Sequence, residues 1–282
     1  SIAAVGATPI LVDVYDATFN MNPSKIEEAI ANSDKNIKAI MPVDLFGLPA
    51  RYRIIQDIAN KYDLKIIADA AQSFGASKND KKVGTFGDIT TTSFFPAKPL
   101  GCYGDGGAIF TDSDEYNKIL RSLAVHGKGS DKYDNIRVGM NSRLDTIQAA
   151  VLLEKLSIFS DEINSRNKIA DLYRKKLKGL PVICQTIPQG YKSVYAQFSI
   201  LFNSEETRNK IQLTLKDNGI PSVIYYQLSG HLQGGYKYLG YNKGDFPISE
   251  DLSYRILSLP MHPYLNERDI EKITTIIKGV LS

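Results

Sequence analysis

Lys98 stands in the run Ser93-Phe94-Phe95-Pro96-Ala97-Lys98-Pro99-Leu100-Gly101, with one proline just before it and another just after. Prolines exclude a helix interior and restrict the residue ahead of them, so the backbone here is held in a turn or an extended form. An amine delivered to one fixed place is what a Schiff-base lysine requires. An exposed loop lysine fits the same residues equally well, so partners elsewhere must decide. Asp69 opens Asp-Ala-Ala-Gln upstream of Lys98. A carboxylate and an amine of this kind suit pyridoxal phosphate, whose aldehyde needs the amine and whose pyridine nitrogen needs an anion to stay protonated. Unit charges at about 4 Å in a partly buried site attract by about 4 kcal/mol before desolvation. The alternative for Asp69 is a helix cap or a surface ion pair with Lys65 or Lys78. Ser93, five residues before Lys98, ends a β-rich run, where a hydroxyl and nearby N–H groups can bind phosphate. The alternative is an ordinary sheet serine.

The elements around these residues indicate how they are positioned. Pro9–Tyr15 reads as a strand, and Asn22-Pro23 marks a helix start with Glu27 and Glu28 near its positive end. Ile37–Val43 is a nearly continuous apolar run, the pattern of a strand covered on both faces. After the Gly47–Pro49 turn, Tyr52–Tyr62 has helical spacing, and Leu64–Ala68 is again a buried strand. Strand, helix and strand in this alternation predict a parallel sheet with crossover helices, whose ligands gather at the carboxyl ends of the strands. Asp69 sits at such an end. The chain then turns through Gly75–Asp88, enters the Ile89–Phe95 run, and returns at Ala108–Thr111.

Farther on, Ser113–Val125 predicts a capped helix, His126–Asn141 a loop, Arg143–Leu156 an amphipathic helix, and Ile158–Lys178 a charged bridging helix. Beyond Pro181 the rhythm becomes antiparallel α+β. A strand is expected at Tyr195–Phe202, a helix at Glu205–Asn218, short strands near Pro221–Tyr226 and a closing helix at Glu267–Val280. A boundary near Ser157 gives two domains, residues 1–157 and 158–282.

Several functional classes are disfavoured. The 282 residues are 43% hydrophobic, enough for a sizeable core. A net charge of +3, spread over mixed helix faces, gives no reason to expect nucleic acid. Cys102 and Cys184 read as reduced thiols of a cytoplasmic protein, and the opening stretch gives neither signal peptide nor membrane anchor. Gly104-Asp105-Gly106-Gly107 precedes a strand and lacks the G-x-G-x-x-G spacing, which argues against a dinucleotide site. His126, His231 and His262 lie far apart without cysteine pairs, so no metal site is expected.

Taken in order, Asp69-Ala-Ala-Gln72, Ser93-Phe-Phe-Pro-Ala-Lys98-Pro-Leu-Gly, Gly104-Asp-Gly-Gly107 and Gly139-Met-Asn-Ser-Arg-Leu144 give a chain that resembles the nucleotide-sugar aminotransferases of the DegT/DnrJ/EryC1 type over essentially its whole length. The resemblance implies a pyridoxal-phosphate enzyme of the aspartate aminotransferase fold (fold type I): an α/β large domain with a mostly parallel central sheet, and a smaller α+β C-terminal domain. It also implies that the N-terminal part of the large domain is missing. By the same resemblance Lys98 forms the Schiff base and shuttles the proton, Asp69 pairs with the pyridine nitrogen, Gln72 contacts the cofactor ring or its phenolic oxygen, and Ser93 binds the phosphate. Asn141 reaches the cofactor phosphate of a neighbouring subunit, so a homodimer with shared active sites is expected. Arg143 is a candidate for a sugar carboxylate, which a planar bidentate donor suits. His262 and Tyr264 are further candidates for substrate contact.

Related sugar dehydratases carry histidine at the lysine position, so Lys98 implies amino transfer. The expected cycle takes the amino group from L-glutamate and gives it to the keto sugar of a nucleotide sugar, at C3 of an acidic sugar for surface polysaccharide such as O-antigen. A 4-keto sugar is the nearest variant. Tyr225-Tyr226-Gln-Leu-Ser-Gly-His231 departs from the family's His-Tyr-Pro loop and loosens the sugar assignment more than the chemistry. Two other classes remain as alternatives: a non-catalytic chain on this fold, and a nicotinamide-dependent sugar enzyme. The second is disfavoured because no Tyr-x-x-x-Lys occurs.

Overall fold

A computed structural model describes residues 1–131 and 133–282. In chain order the elements are α1 (Ser24–Ala31), β1 (Ala39–Ile40), α2 (Tyr52–Lys61), β2 (Lys65–Asp69), β3 (Ser77–Lys78), β4 (Lys81–Lys82), β5 (Ile89–Ser93), β6 (Gly107–Phe110), α3 (Asp114–Ala124) and α4 (Thr146–Leu177). They continue with β7 (Ile183–Cys184), β8 (Tyr191–Lys192), β9 (Phe198–Leu201), α5 (Glu205–Asp217), α6 (Pro247–Arg255), β10 (Ile256–Leu259) and α7 (Glu267–Leu281).

The first sheet has the order β1-β2-β5-β6. β1, β2 and β5 run parallel, and β6 is antiparallel to β5. Parallel neighbours need a crossover, and α2 supplies the one between β1 and β2. The core on this sheet gathers Ile26, Ile40, Tyr52, Ile55, Ile58, Ile66, Phe86 and Phe94 with Leu152, Phe159 and Ile163 of α4. Tyr52 stacks on Phe86 at 4.6 Å between ring centres. A second sheet, β10-β9-β7, is antiparallel, and α4, α5 and α7 enclose it through Tyr173, Phe198, Ile200, Ile211, Leu215, Leu257, Ile270, Ile273 and Ile277.

Helix starts follow local capping chemistry. The Ser113 and Ser204 hydroxyls accept from the amides of Tyr116 and Thr207, and Asn266 forms a capping box with Asp269.

Some elements differ from expectation. The region 9–15 forms only the bridge Val14–Met21, since its hydrogen bonds go to a local turn and, through the Leu11 amide, to the Tyr241 hydroxyl. The turn region 75–88 contains the hairpin β3–β4, stabilised by pairing with the distant β8 in a third sheet. The two helices expected on either side of Ser157 are one, α4. Its buried residues Leu152, Phe159, Ile163, Arg166, Ala170, Tyr173 and Leu177 recur at helical spacing, so one stripe serves both cores. Near 221–226 there is a single bridge, Val223–Ser258, whereas β10 was not anticipated.

Candidate functional site

The carboxyl ends of β1, β2 and β5 fall on one edge of the first sheet. Val43, just beyond β1, bridges Asp69 in parallel, and Asp69 pairs with Thr91. Ser93 follows two residues later, on the same face of β5 as Thr91. Three polar side chains, Asp44, Asp69 and Ser93, therefore stand at adjacent strand ends, where parallel sheets bind ligands.

Asp69 is half-buried, and its Oδ1 accepts from the Ala71 amide at 3.0 Å. Its Oδ2 has no hydrogen-bond partner among the described residues. The lysines that could have formed a surface ion pair are engaged elsewhere: Lys65 pairs with Asp88 at 3.6 Å, and the Lys78 ammonium lies 5.1 Å from the Tyr191 ring centre. Gln72 is buried. Its Oε1 accepts from the Phe46 amide at 2.6 Å, which aims its amide nitrogen at the Tyr226 hydroxyl, 3.3 Å away.

Ser93 Oγ accepts from the Phe95 amide at 3.2 Å, leaving the hydroxyl hydrogen to donate outward. Gly107 is its cross-strand partner and offers no side chain to cover it.

Lys98 is carried by a loop closed at its neck. The Cys102 amide and thiol both donate to the Phe94 carbonyl, at 2.8 and 3.0 Å, and the Phe94 amide donates to Gly106 at 2.7 Å. Inside the loop the Lys98 amide donates to Phe95 at 2.8 Å. Gly101 is packed so closely that a Cβ would lie 2.6 Å from the Pro96 oxygen. Lys155 of α4 holds the far side by donating to the Gly101 carbonyl at 2.5 Å. The Lys98 side chain is half-buried and has no hydrogen-bond or ion-pair partner among the described residues.

The other sequence candidates lie apart from this group. Asn141 and Arg143 are both exposed, and the Arg143 Nε donates to Asn141 Oδ1 at 2.8 Å. Their segment runs along the end of α3 through Met140 to Leu123 and Ser142 to Ala124. Nearby apolar side chains are open to solvent, with Val138 at 99%, Ile147 at 76% and Met140 at 65% exposure. His262 and Tyr264 form another cluster. Tyr264 donates to Glu162 of α4 at 2.5 Å, which holds its hydroxyl pKa above the ordinary value, and its amide donates to His262 Nδ1 at 3.3 Å. No hydrogen bond or ion pair among the described residues joins either pair to Asp69, Gln72, Ser93 or Lys98.

Sequence reading missed Asp44 and Tyr226. Asp44 is fully buried and accepts from Ala50 N, Tyr52 Oη and Ser73 Oγ. Its position after the apolar run 37–43 was the available signal, since Asp69 stands in the same relation to the next strand. Tyr226, which meets Gln72, was marked only as part of the loop Tyr225–His231 that departs from the family's His-Tyr-Pro loop. It also lines a cleft of about 270 Å³ with Phe19, Phe46, Ser229, Gln233 and Leu252.

A carboxylate oxygen without a partner, an outward hydroxyl at the neighbouring strand end and an unpartnered amine on a pinned loop fit a cofactor with a basic ring nitrogen, a phosphate and a carbonyl. The comparisons with known proteins agree. A crystal structure of a DegT DnrJ EryC1 StrS aminotransferase from Brucella abortus superposes with a TM-score of 0.94 at 49% identity, covering 100% of this chain and 75% of that one. The UDP-2-acetamido-2-deoxy-3-oxo-D-glucuronate aminotransferase of Pseudomonas aeruginosa is 42% identical over 273 residues, 97% of this chain and 73% of that protein. The UDP-N-acetyl-3-dehydro-alpha-D-glucosamine 3-aminotransferase of Acidithiobacillus ferrooxidans is 39% identical over 281 residues, 100% of this chain and 74% of that protein. Aminotransferases of this family depend on pyridoxal phosphate. Residues 1–278 match the DegT/DnrJ/EryC1/StrS aminotransferase family, and the chain belongs to it.

Proposed function

We propose that the chain is a sugar-nucleotide aminotransferase that moves the amino group of L-glutamate to the keto sugar of UDP-2-acetamido-2-deoxy-3-oxo-glucuronate, at C3. The carrying observation is the placement of Asp69 and Ser93 at adjacent parallel strand ends, with Lys98 on its pinned loop five residues on. Similarity to the two C3 aminotransferases favours that ring carbon over C4. Pyridoxal phosphate supplies the carbonyl that takes up the amino group and the electron sink that makes the substrate proton acidic. Asp69 Oδ2 holds the proton at the ring nitrogen, Gln72 borders the ring, and Ser93 Oγ–H donates to the phosphate. The Lys98 amine anchors the cofactor and moves the proton at the reacting carbon. The Arg143 guanidinium takes the sugar carboxylate as a two-pronged donor, with His262 and Tyr264 as further substrate contacts.

Asn141 acts across a homodimer, and the exposed Val138, Met140 and Ile147 beside it supply apolar surface suited to association. The large domain spans residues 1–157 and the small one 158–282; the second core lies wholly within 158–282, while the first also takes in Phe159, Ile163 and Val194. The product serves cytoplasmic assembly of a surface polysaccharide such as O-antigen.

The test is the absorption spectrum of the purified chain with pyridoxal phosphate, before and after L-glutamate. A visible band that glutamate bleaches is the expected result. A chain that forms no band is a non-catalytic member of the fold.

A further inference from the structure

Asp44 is the most deeply buried carboxyl group near the site, with 0% exposure. Its Oδ1 accepts from the Ala50 amide at 2.7 Å and the Tyr52 hydroxyl at 2.8 Å, and its Oδ2 accepts from the Ser73 hydroxyl at 2.6 Å. The backbone repeats the connection, because the Asp44 amide donates to the Asp69 carbonyl at 2.9 Å. Two residues on, Phe46, in a left-handed conformation with φ 61°, donates its amide to Gln72. The stretch 44–46 thus holds the turn 69–73 at three points: the Asp69 carbonyl, the Gln72 side chain and the Ser73 hydroxyl.

Among the described residues, no lysine, arginine or histidine is paired with Asp44. The titratable groups that face it are Tyr52 from α2 and Asp69 from the end of β2, and the field of Asp69 also reaches Tyr226. Burial is the largest influence on Asp44 and raises its pKa to about 7, against the pull of its three donors and with the charge of Asp69 pushing the same way. Both charge states are therefore populated near neutral pH. The protonated form must give up one accepted hydrogen bond, and the Ser73 and Tyr52 hydroxyls are the donors that can rotate.

We propose that Asp44 is a positioning residue of the cofactor site: it fixes the turn bearing Asp69 and Gln72, and its negative charge behind Asp69 strengthens the hold of that carboxylate on a proton at the cofactor ring nitrogen. The inference rests on the pyridoxal-phosphate reading above. A negative charge on Asp44 favours a proton shared between Asp69 and the ring, and neutralising Asp44 weakens that preference. The two residues are joined by one strand-end contact, the hydrogen bond from the Asp44 amide to the Asp69 carbonyl.

The experiment compares the wild-type chain, Asp44→Asn and Ser73→Ala, each with pyridoxal phosphate, by the pH dependence of the visible band. The infrared carboxyl stretch of the cofactor-free proteins is followed over the same pH range. Asparagine keeps the acceptor for Ala50 and Tyr52 while removing the charge. Expected are a step near neutral pH in the wild-type band, its loss in Asp44→Asn with the cofactor still bound, and an upward shift in Ser73→Ala, which removes a donor that favours the carboxylate. The infrared titration should follow the same order. Should Asp44→Asn fail to fold, the shift in Ser73→Ala decides. A band whose pH dependence is the same in all three proteins overturns the proposal and leaves the cofactor reading standing. A wild-type chain that forms no band overturns the cofactor reading, and the proposal with it.

Discussion

The amide nitrogen of Gln72 donates to the hydroxyl of Tyr226 at 3.3 Å, across 154 residues of chain. Gln72 follows the strand end of Asp69, whereas Tyr226 lies just beyond Val223, which bridges β10 of the second sheet. Tyr226 lines the cleft of about 270 Å³ together with Phe46, whose amide binds the same Gln72, so the proposed cofactor turn is tied to two residues of that cleft from opposite halves of the chain. Burial is the main reason the Tyr226 hydroxyl is held above its ordinary pKa, so it stays neutral at physiological pH while it accepts from Gln72.

Replacing the amine is the most direct test of the site. Lys98→Ala should abolish the visible band and lower transamination by at least about 1,000-fold, as expected when a nucleophile and proton carrier are removed together. Single-turnover measurement with L-glutamate checks it; a rate near wild type would remove Lys98 from its role.

Asp69→Asn should retain the visible band, because the amine is untouched, yet slow the glutamate half-reaction by about 100-fold or more. Stopped-flow bleaching of the band measures this. A near-normal rate would show that another group keeps the ring nitrogen protonated.

The loop geometry makes its own prediction. In Gly101→Ala the new Cβ meets the Pro96 oxygen at 2.6 Å and the Phe95 oxygen at 2.7 Å, both backbone atoms that cannot swing away. The loop must open, displacing Lys98, so pyridoxal phosphate should bind at least about 10-fold more weakly. Equilibrium titration of the band reads the change, and unaltered affinity would mean that the neck of the loop does not set the position of Lys98.

Arg143→Lys should weaken an acidic nucleotide sugar by about 10-fold, since charge-assisted hydrogen bonds contribute about 1.5–3 kcal/mol and lysine loses the fork. A neutral analogue should change little. Comparing KM for the two substrates decides the matter: equal losses would count against a carboxylate partner.

Asp44 also has a consequence for stability. Its folded pKa of about 7 lies above its ordinary 3.8, so the folded chain holds the proton more tightly. The stability it contributes is fully present below pH 3.8 and is lost as pH rises through about 7. At about 1.36 kcal/mol per pH unit this window amounts to about 4 kcal/mol at most. Asp44→Asn should flatten the dependence of urea-unfolding free energy on pH across the window. An unchanged slope would assign the titration to another group.

The order of strands and helices from Ile37 to Asp69 was legible because each element writes its own period: continuous apolar runs for strands buried on both faces, helical spacing for α2. The four ordered motifs likewise carried the family, and the two prolines announced a constrained Lys98. Other features depend on residues far apart in the chain. β3 and β4 have only two residues each and exist because β8, more than a hundred residues later, pairs with β3. No break occurs at Ser157: the buried stripe of α4 runs on, and its packing partner changes from the first core to the second only between Ile163 and Ile169. Asp44 looked like the end of a strand; only the fold brings Ala50, Tyr52 and Ser73 around it and removes the water that would otherwise hold its charge. Local sequence dictates backbone preference and side-chain chemistry, whereas burial and hydrogen-bond partners come from contacts across the chain, and these set the environment of Asp44, Gln72 and Tyr264.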